Sequence, residues 1–172
     1  MTMKDLNQNA RMIGNYTALQ AANIIARTLY AEARNDGKTG MTAVASVIYN
    51  RADGKASDFV NVCKKHGYSK KAKRVVHQFS CWNRMTDEEW SQKSFKIKIP
   101  KTVKNSAKAR ALWETAKKIA ADMLSGSFTP TTDANMYYAP KKCSPDWAKE
   151  LTGTVMIGRH KFGKLKNHSA FK

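Results

Sequence analysis

The sequence predicts an α+β protein, mainly α, organised as one domain with a small β element and loop-rich insertions. Three observations lead there. Apolar residues recur at helical spacing in three stretches, strand-like pieces are short, and 172 residues with 42% hydrophobic content supply one core rather than two. A core of that size excludes general disorder. Few Gly and Pro and no short recurring period exclude collagen-like, coiled-coil and low-complexity chains.

Residues 1–15 read as a polar N-terminal arm. From Tyr16 to Arg34 the residues Ala18, Ala22, Ile25 and Leu29 share one helical face, and Asn35, Asp36 and Gly37 stop that helix, with Gly37 as a left-handed terminator. Thr39 or Gly40 opens a second helix with the stripe Met41, Val44, Ala45 and Ile48, ending near Asn50 and Arg51. A loop-rich stretch follows, containing a solvated basic insertion, 64–74, after which Val75 and Val76 return to the core. Thr86 and Glu89 form a capping box for a short helix. In an arm at 91–104, Phe95, Ile97 and Ile99 alternate with lysines. The clearest helix runs from Ser106 to Ser125 and buries Ala109, Leu112, Trp113, Ala116, Ala120, Met123 and Leu124, with Gly126 as its C-terminal cap. Short pieces follow at Asn135 to Tyr138, Asp146 to Leu151 and Val155 to Ile157. The expected domain is 16–162, followed by a basic tail, 163–172.

The net charge is +18, from 31 Lys and Arg against 13 Asp and Glu. Such a surplus favours encounter with polyanions, whether nucleic acid, anionic lipid or anionic envelope polymers. No secretory signal or spanning segment is legible, so the chain is expected to be made and kept in the cytoplasm until released. Cys63, Cys81 and Cys143 are too few, and odd in number, for a disulfide scaffold.

Glu32 is the most informative position. It falls at the edge of the stripe made by Ala22, Ile25 and Leu29, where the pattern calls for a hydrophobe. It also lies in the last helical turn, where the backbone dipole disfavours an anion. Both effects push a Glu toward the protonated form that a general acid at a glycosidic bond needs. An ion pair with Arg27, Arg34 or Arg51 is the other reading of the same position. Asp36 and Asp133 are the candidates for a second carboxylate, and each also suits a helix stop or a turn. Phe79, Trp82, Tyr137, Tyr138 and Trp147 supply flat apolar faces, and Gln78, Ser80 and Asn135 can bond hydroxyl or acetamido groups. Either tryptophan can equally be core. The Cys63 and His66 pair and the His77 and Cys81 pair come near zinc spacing, but the Lys-rich loop between them opposes a dication, and neither metal nor cofactor is expected. A Cys143 and His160 nucleophilic pair has no support in spacing; His160 suits the end of a cleft or a core hydrogen bond.

Four blocks occur in order: Ala26 to Arg34 (ARTLYAEAR), Gly40 to Arg51 (GMTAVASVIYNR), Gln78 to Trp82 (QFSCW), and a last group of Ala134 to Tyr138, Trp147 and Ile157 to Phe162. Together they resemble the signature of SleB-type cell-wall hydrolases, the spore cortex-lytic and phage lysin catalytic domains, over roughly Ile24 to Phe162. The resemblance implies a lysozyme-like helical domain that cuts peptidoglycan glycan strands, with Glu32 as catalytic acid. It also implies substrate contacts from Gln78, Phe79, Ser80, Asn135, Tyr137, Trp147 and His160. Because neighbours in an extended segment point to opposite sides, only one of Tyr137 and Tyr138 is expected in the cleft, and analogy with lysozyme-like enzymes favours Tyr137. A single-Glu lytic transglycosylase route and a muramidase route both remain open. The expected setting is a monomeric phage endolysin that waits in the host cytoplasm and reaches the periplasm and wall once the membrane is permeabilised. The basic surface would hold it to anionic envelope polymers or lipids. The competing reading, a nucleic-acid-binding protein using 64–74 and the tail, rests on charge alone.

Overall fold

The computed structural model describes residues 12–70, 73–84 and 106–166. The expected helix at Thr86 to Trp90, the arm at 91–104, residues 1–11 and the end of the tail from 167 lie outside them.

A two-residue ribbon, β1 (Met12–Ile13) with β2 (Tyr16–Thr17), leads into α1 (Ala18–Ala33). The boundary is set by a capping box. Gln20 N–H donates to Thr17 Oγ1 at 3.2 Å, and Thr17 N–H donates to Gln20 Oε1 at 2.9 Å. Ile13 is buried, so the end of the expected N-terminal arm belongs to the core. The alanine-rich face of α1, with Ile24, Ile25 and Leu29, packs against α2 (Gly37–Arg51) and α4 (Ala107–Ser125). Small side chains there let the three helices approach closely.

The junction between α1 and α2 differs from the sequence expectation. A single 3-10 turn, Arg34–Asp36, separates the helices, and Gly37, at φ +65°, is the first residue of α2 rather than a spacer before Thr39. The turn rotates Asp36 off the face it would share with Glu32 in a continuous helix. Helix α4 matches its expected limits. Ser106 Oγ accepts from Ala109 N–H at 3.3 Å, and Gly126 closes the helix in the left-handed conformation.

After the short α3 (Phe59–Lys64), the basic insertion is not a loop. It folds as an antiparallel hairpin, β3 (His66–Ser69) with β4 (Arg74–His77), in which Tyr68 faces Val75. Val75 is exposed and does not return to the core; Phe79 does. The last part forms a three-stranded antiparallel sheet in the order β5 (Met136–Tyr138), β7 (His160–Lys164), β6 (Thr152–Ile157). Strand β7 is central and continues past Phe162, and Leu165 is buried, so the tail expected at 163 starts later. The observed class is α+β with helix predominant. No helix among the described residues is long and apolar enough to cross a membrane.

Candidate functional site

A cleft of about 440 Å³ runs between the C-terminal end of α1, the Gln78 to Ser80 segment and strand β5. Glu32 is the one carboxylate lining it among the described residues. Its two oxygens are held by three neutral donors. Tyr137 O–H donates to Oε2 at 3.1 Å, Cys81 N–H donates to Oε1 at 3.1 Å, and Ser80 Oγ–H donates to Oε1 at 3.3 Å. The Cys81 amide is available because it opens the 3-10 turn Ser80–Arg84, whose first N–H groups have no partner within the turn. Among the described residues no Lys or Arg forms an ion pair with Glu32.

The Tyr137 hydroxyl is a dependable donor. Burial, and then the negative charge of Glu32, push its pKa well above the ordinary tyrosine value, with Arg51 acting in the opposite sense. Its ring stacks on Phe162 at 5.2 Å and meets His160 edge-on at 5.4 Å. Burial, followed by the Glu32 charge, also raises the Cys81 thiol pKa, so the sulfur beside Glu32 stays protonated.

Arg51, at the end of α2, ties the cleft floor together. Nε donates to Asn135 O at 2.6 Å, Nη1 donates to Gln78 Oε1 at 3.1 Å, Nη2 approaches Met136 Sδ at 3.2 Å, and the guanidinium lies over Phe79 at 5.6 Å. Phe79 is thereby a buried floor, Gln78 a half-buried wall and Ser80 an exposed rim. Trp147 also lines the cleft, half-buried, with its ring perpendicular to that of Tyr138 at 5.6 Å.

Several expected residues are placed differently. Asn135 does not line this cleft. Its amide donates to Leu165 O at 3.0 Å and accepts from Leu165 N–H at 2.8 Å, so both ends are spent fastening the chain after β7. Tyr138 does line the cleft together with Tyr137, because β5 is an edge strand and the cleft wraps around it. Trp82 is core, donating through Nε1 to Thr28 Oγ1 at 3.1 Å. Asp133 is exposed, 3.8 Å from Lys164 Nζ. The Asp36 side chain is only 4% exposed and turns away from Glu32. Its Oδ2 takes His160 Nδ1 at 2.8 Å, and its Oδ1 takes Arg159 N–H and Nε, each at 3.2 Å. His160 lines the cleft, as does Cys143, but the His160 Nδ1 is committed to Asp36. All three cysteines are free thiols. Among the described residues no group of three or more His, Cys, Asp or Glu converges on a point that could hold a metal ion.

Arg51 as organiser of the floor and Asp36 as the partner of His160 are the assignments that sequence reasoning missed. Periodicity cannot join residues separated by more than eighty positions.

A family model described as Cell Wall Hydrolase matches residues 35–163. That span holds Asp36, Arg51, the Gln78 to Trp82 block, Tyr137, Trp147 and His160, and it begins just after Glu32. Neither the curated proteins nor the solved structures yielded a match.

Proposed function

The chain belongs to the cell wall hydrolase family, and from that premise we propose that it cleaves peptidoglycan glycan strands between N-acetylmuramic acid and N-acetylglucosamine, with Glu32 as the acid. One observation carries this reading: a single carboxylate lines the cleft among the described residues, fixed by neutral donors, with aromatic side chains lining the same cleft. Protonated Glu32 gives its proton to the bridging oxygen as the C1–O bond breaks. The resulting carboxylate then accepts the proton of the muramic acid 6-hydroxyl as that oxygen bonds to C1, closing a 1,6-anhydro ring without water. Ser80 O–H makes the longest of the three bonds to Glu32 and is exposed, so it is the contact that a substrate oxygen displaces. Tyr137 and the Cys81 amide keep the carboxylate aimed throughout.

A single acid suffices for this lytic transglycosylase route, because the sugar's own 6-hydroxyl takes the place of the water that a muramidase activates with a second carboxyl group. Gln78, Ser80, Tyr137, Tyr138, Trp147 and His160 line the glycan path. The net charge of +18 supports adhesion to anionic envelope polymers or lipids. In this reading the protein acts as a phage endolysin, released from the host cytoplasm to act on the wall.

The test is Glu32→Gln assayed on purified sacculi. The expected loss is at least about 10²-fold, the scale of a positioned general acid. Undiminished clearing would refute the assignment. Mass spectrometry of wild-type products separates the routes, since anhydro ends mark transglycosylation and reducing ends mark hydrolysis.

A further inference from the structure

The carboxylate that sequence spacing offers as a partner for Glu32 is built into a different device. Asp36 is seated in the β6–β7 turn, where it holds the backbone and side chain of Arg159 and the imidazole of His160. Two glycines admit it. A Cβ at Gly158 would fall 2.6 Å from Asp36 Oδ1, and a Cβ at Gly40 would overlap Asp36 Cβ. A carboxylate oxygen can only accept here, so His160 Nδ1 carries the proton and the ring orientation is fixed by a bond of 2.8 Å. The ring so fixed stands edge-on to Tyr137 at 5.4 Å, while Phe162 stacks on the Tyr137 ring at 5.2 Å. The hydroxyl of Tyr137 ends on Glu32 Oε2. The contacts therefore run without a gap from Asp36 through His160 and Tyr137 to the acid.

We propose that Asp36 and His160 are positioning residues for the cleavage reaction: Asp36 orients His160, His160 confines the Tyr137 ring, and Tyr137 aims Glu32. Asp36 is then neither a second catalytic carboxylate nor a base. The inference rests on the assignment of Glu32 made above. A loss of aim of this kind lowers turnover more than binding, because a displacement of about 1 Å at the acid costs on the order of 100-fold in rate.

The test is a double-mutant cycle between Asp36→Asn and Tyr137→Phe, measured as kcat and KM on purified sacculi or soluble glycan chains. Each single variant should lower kcat about tenfold to a hundredfold with KM within about twofold, the scale of one hydrogen bond to a charged group. The double variant should be no slower than the slower single one, because both changes interrupt one chain. Multiplying losses would overturn the proposal, since a merely structural Asp36 has no coupling to the Tyr137 hydroxyl. So would an unchanged Tyr137→Phe. An Asp36→Asn variant that is inactive but recovers turnover with added azide would also overturn it, by making Asp36 a catalytic carboxylate. If Asp36→Asn does not fold, His160→Asn takes its place in the cycle: it keeps a donor for Asp36 and removes the ring that meets Tyr137. Failure of the parent reading looks different, as sacculi left intact by wild type or cleared by Glu32→Gln.

Discussion

Replacing Gly158 by Ala, with Gly153→Ala as its control, isolates the seat of Asp36 from every other feature of the β6–β7 hairpin. Both glycines have φ +58°, so an added methyl group pays the same backbone penalty at each, about 1–2 kcal/mol. At Gly153 nothing lies within 4 Å of the new Cβ, and the cost stops there. At Gly158 the methyl lands 2.6 Å from Asp36 Oδ1, and the carboxylate, 4% exposed, has to leave its three donors. Breaking up a buried charged group adds about 2–4 kcal/mol once the partial exposure of Arg159 is allowed for. Urea denaturation at neutral pH should therefore show Gly153→Ala destabilised by about 1–2 kcal/mol and Gly158→Ala by about 3–6 kcal/mol. The glycan assay should show kcat falling only for Gly158→Ala. Equal destabilisation of the two variants, within about 0.5 kcal/mol, would refute the reasoning, because the backbone term alone would then account for both.

Two further outcomes follow from buried groups. Arg51→Lys keeps the charge but loses the planar fork that reaches Asn135 O and Gln78 Oε1 together, and should cost about 2–4 kcal/mol in urea denaturation with a loosened cleft floor; a change below about 0.5 kcal/mol would show that the fork is idle. Burial pushes the Cys63 thiol up to about 12, so the folded chain keeps a proton that the unfolded chain releases above about pH 8.5. That stabilisation is complete below the unfolded value and is lost as pH rises toward the folded one. The stability difference between wild type and Cys63→Ala should accordingly shrink by roughly 2–3 kcal/mol between pH 8 and pH 10.5, and a constant difference would count against it.

Most of the helical scaffold was legible in the sequence because its signals are local. Ser106 and Gly126 bracket α4 by capping chemistry, and the stripe through Trp113, Ala116 and Ala120 sets its buried face. Glu32 stood out for the same reason, as a carboxylate on an apolar stripe. The errors lie where partners are remote. Asn135 was expected at the sugar, but its amide matches the backbone of Leu165, thirty residues on. Tyr138 was assigned away from the cleft by strand alternation, a rule that holds for a sheet face and not for an edge around which a cleft wraps. The 64–74 insertion was expected as a loop from its lysines, yet a hairpin needs no apolar face when both of its sides meet water. Cross-strand pairs such as Tyr68 with Val75 suffice there.

The arginines around Glu32 bear on the neutral donors that hold the proposed acid. Arg27, Arg34 and Arg51 are near enough in sequence or fold to have paired with it, and the bland reading of the sequence expected one of them to do so. Each is instead engaged by an aromatic ring: Arg27 over Trp82 at 5.9 Å, Arg34 over Tyr30 at 5.5 Å and Arg51 over Phe79 at 5.6 Å. Arg34 also donates to Ala31 O at 3.1 Å, and Arg51 to Asn135 O. A guanidinium against a carboxylate adds a formal positive charge that favours the charged form, the opposite of what a general acid needs. A phenol, a hydroxyl and a backbone amide orient the same oxygens without a formal charge. In a chain with 31 Lys and Arg, keeping every described cation off one carboxylate is what the acid role proposed for Glu32 requires. The aromatic residues of the first and third blocks meet it by giving those cations somewhere else to go.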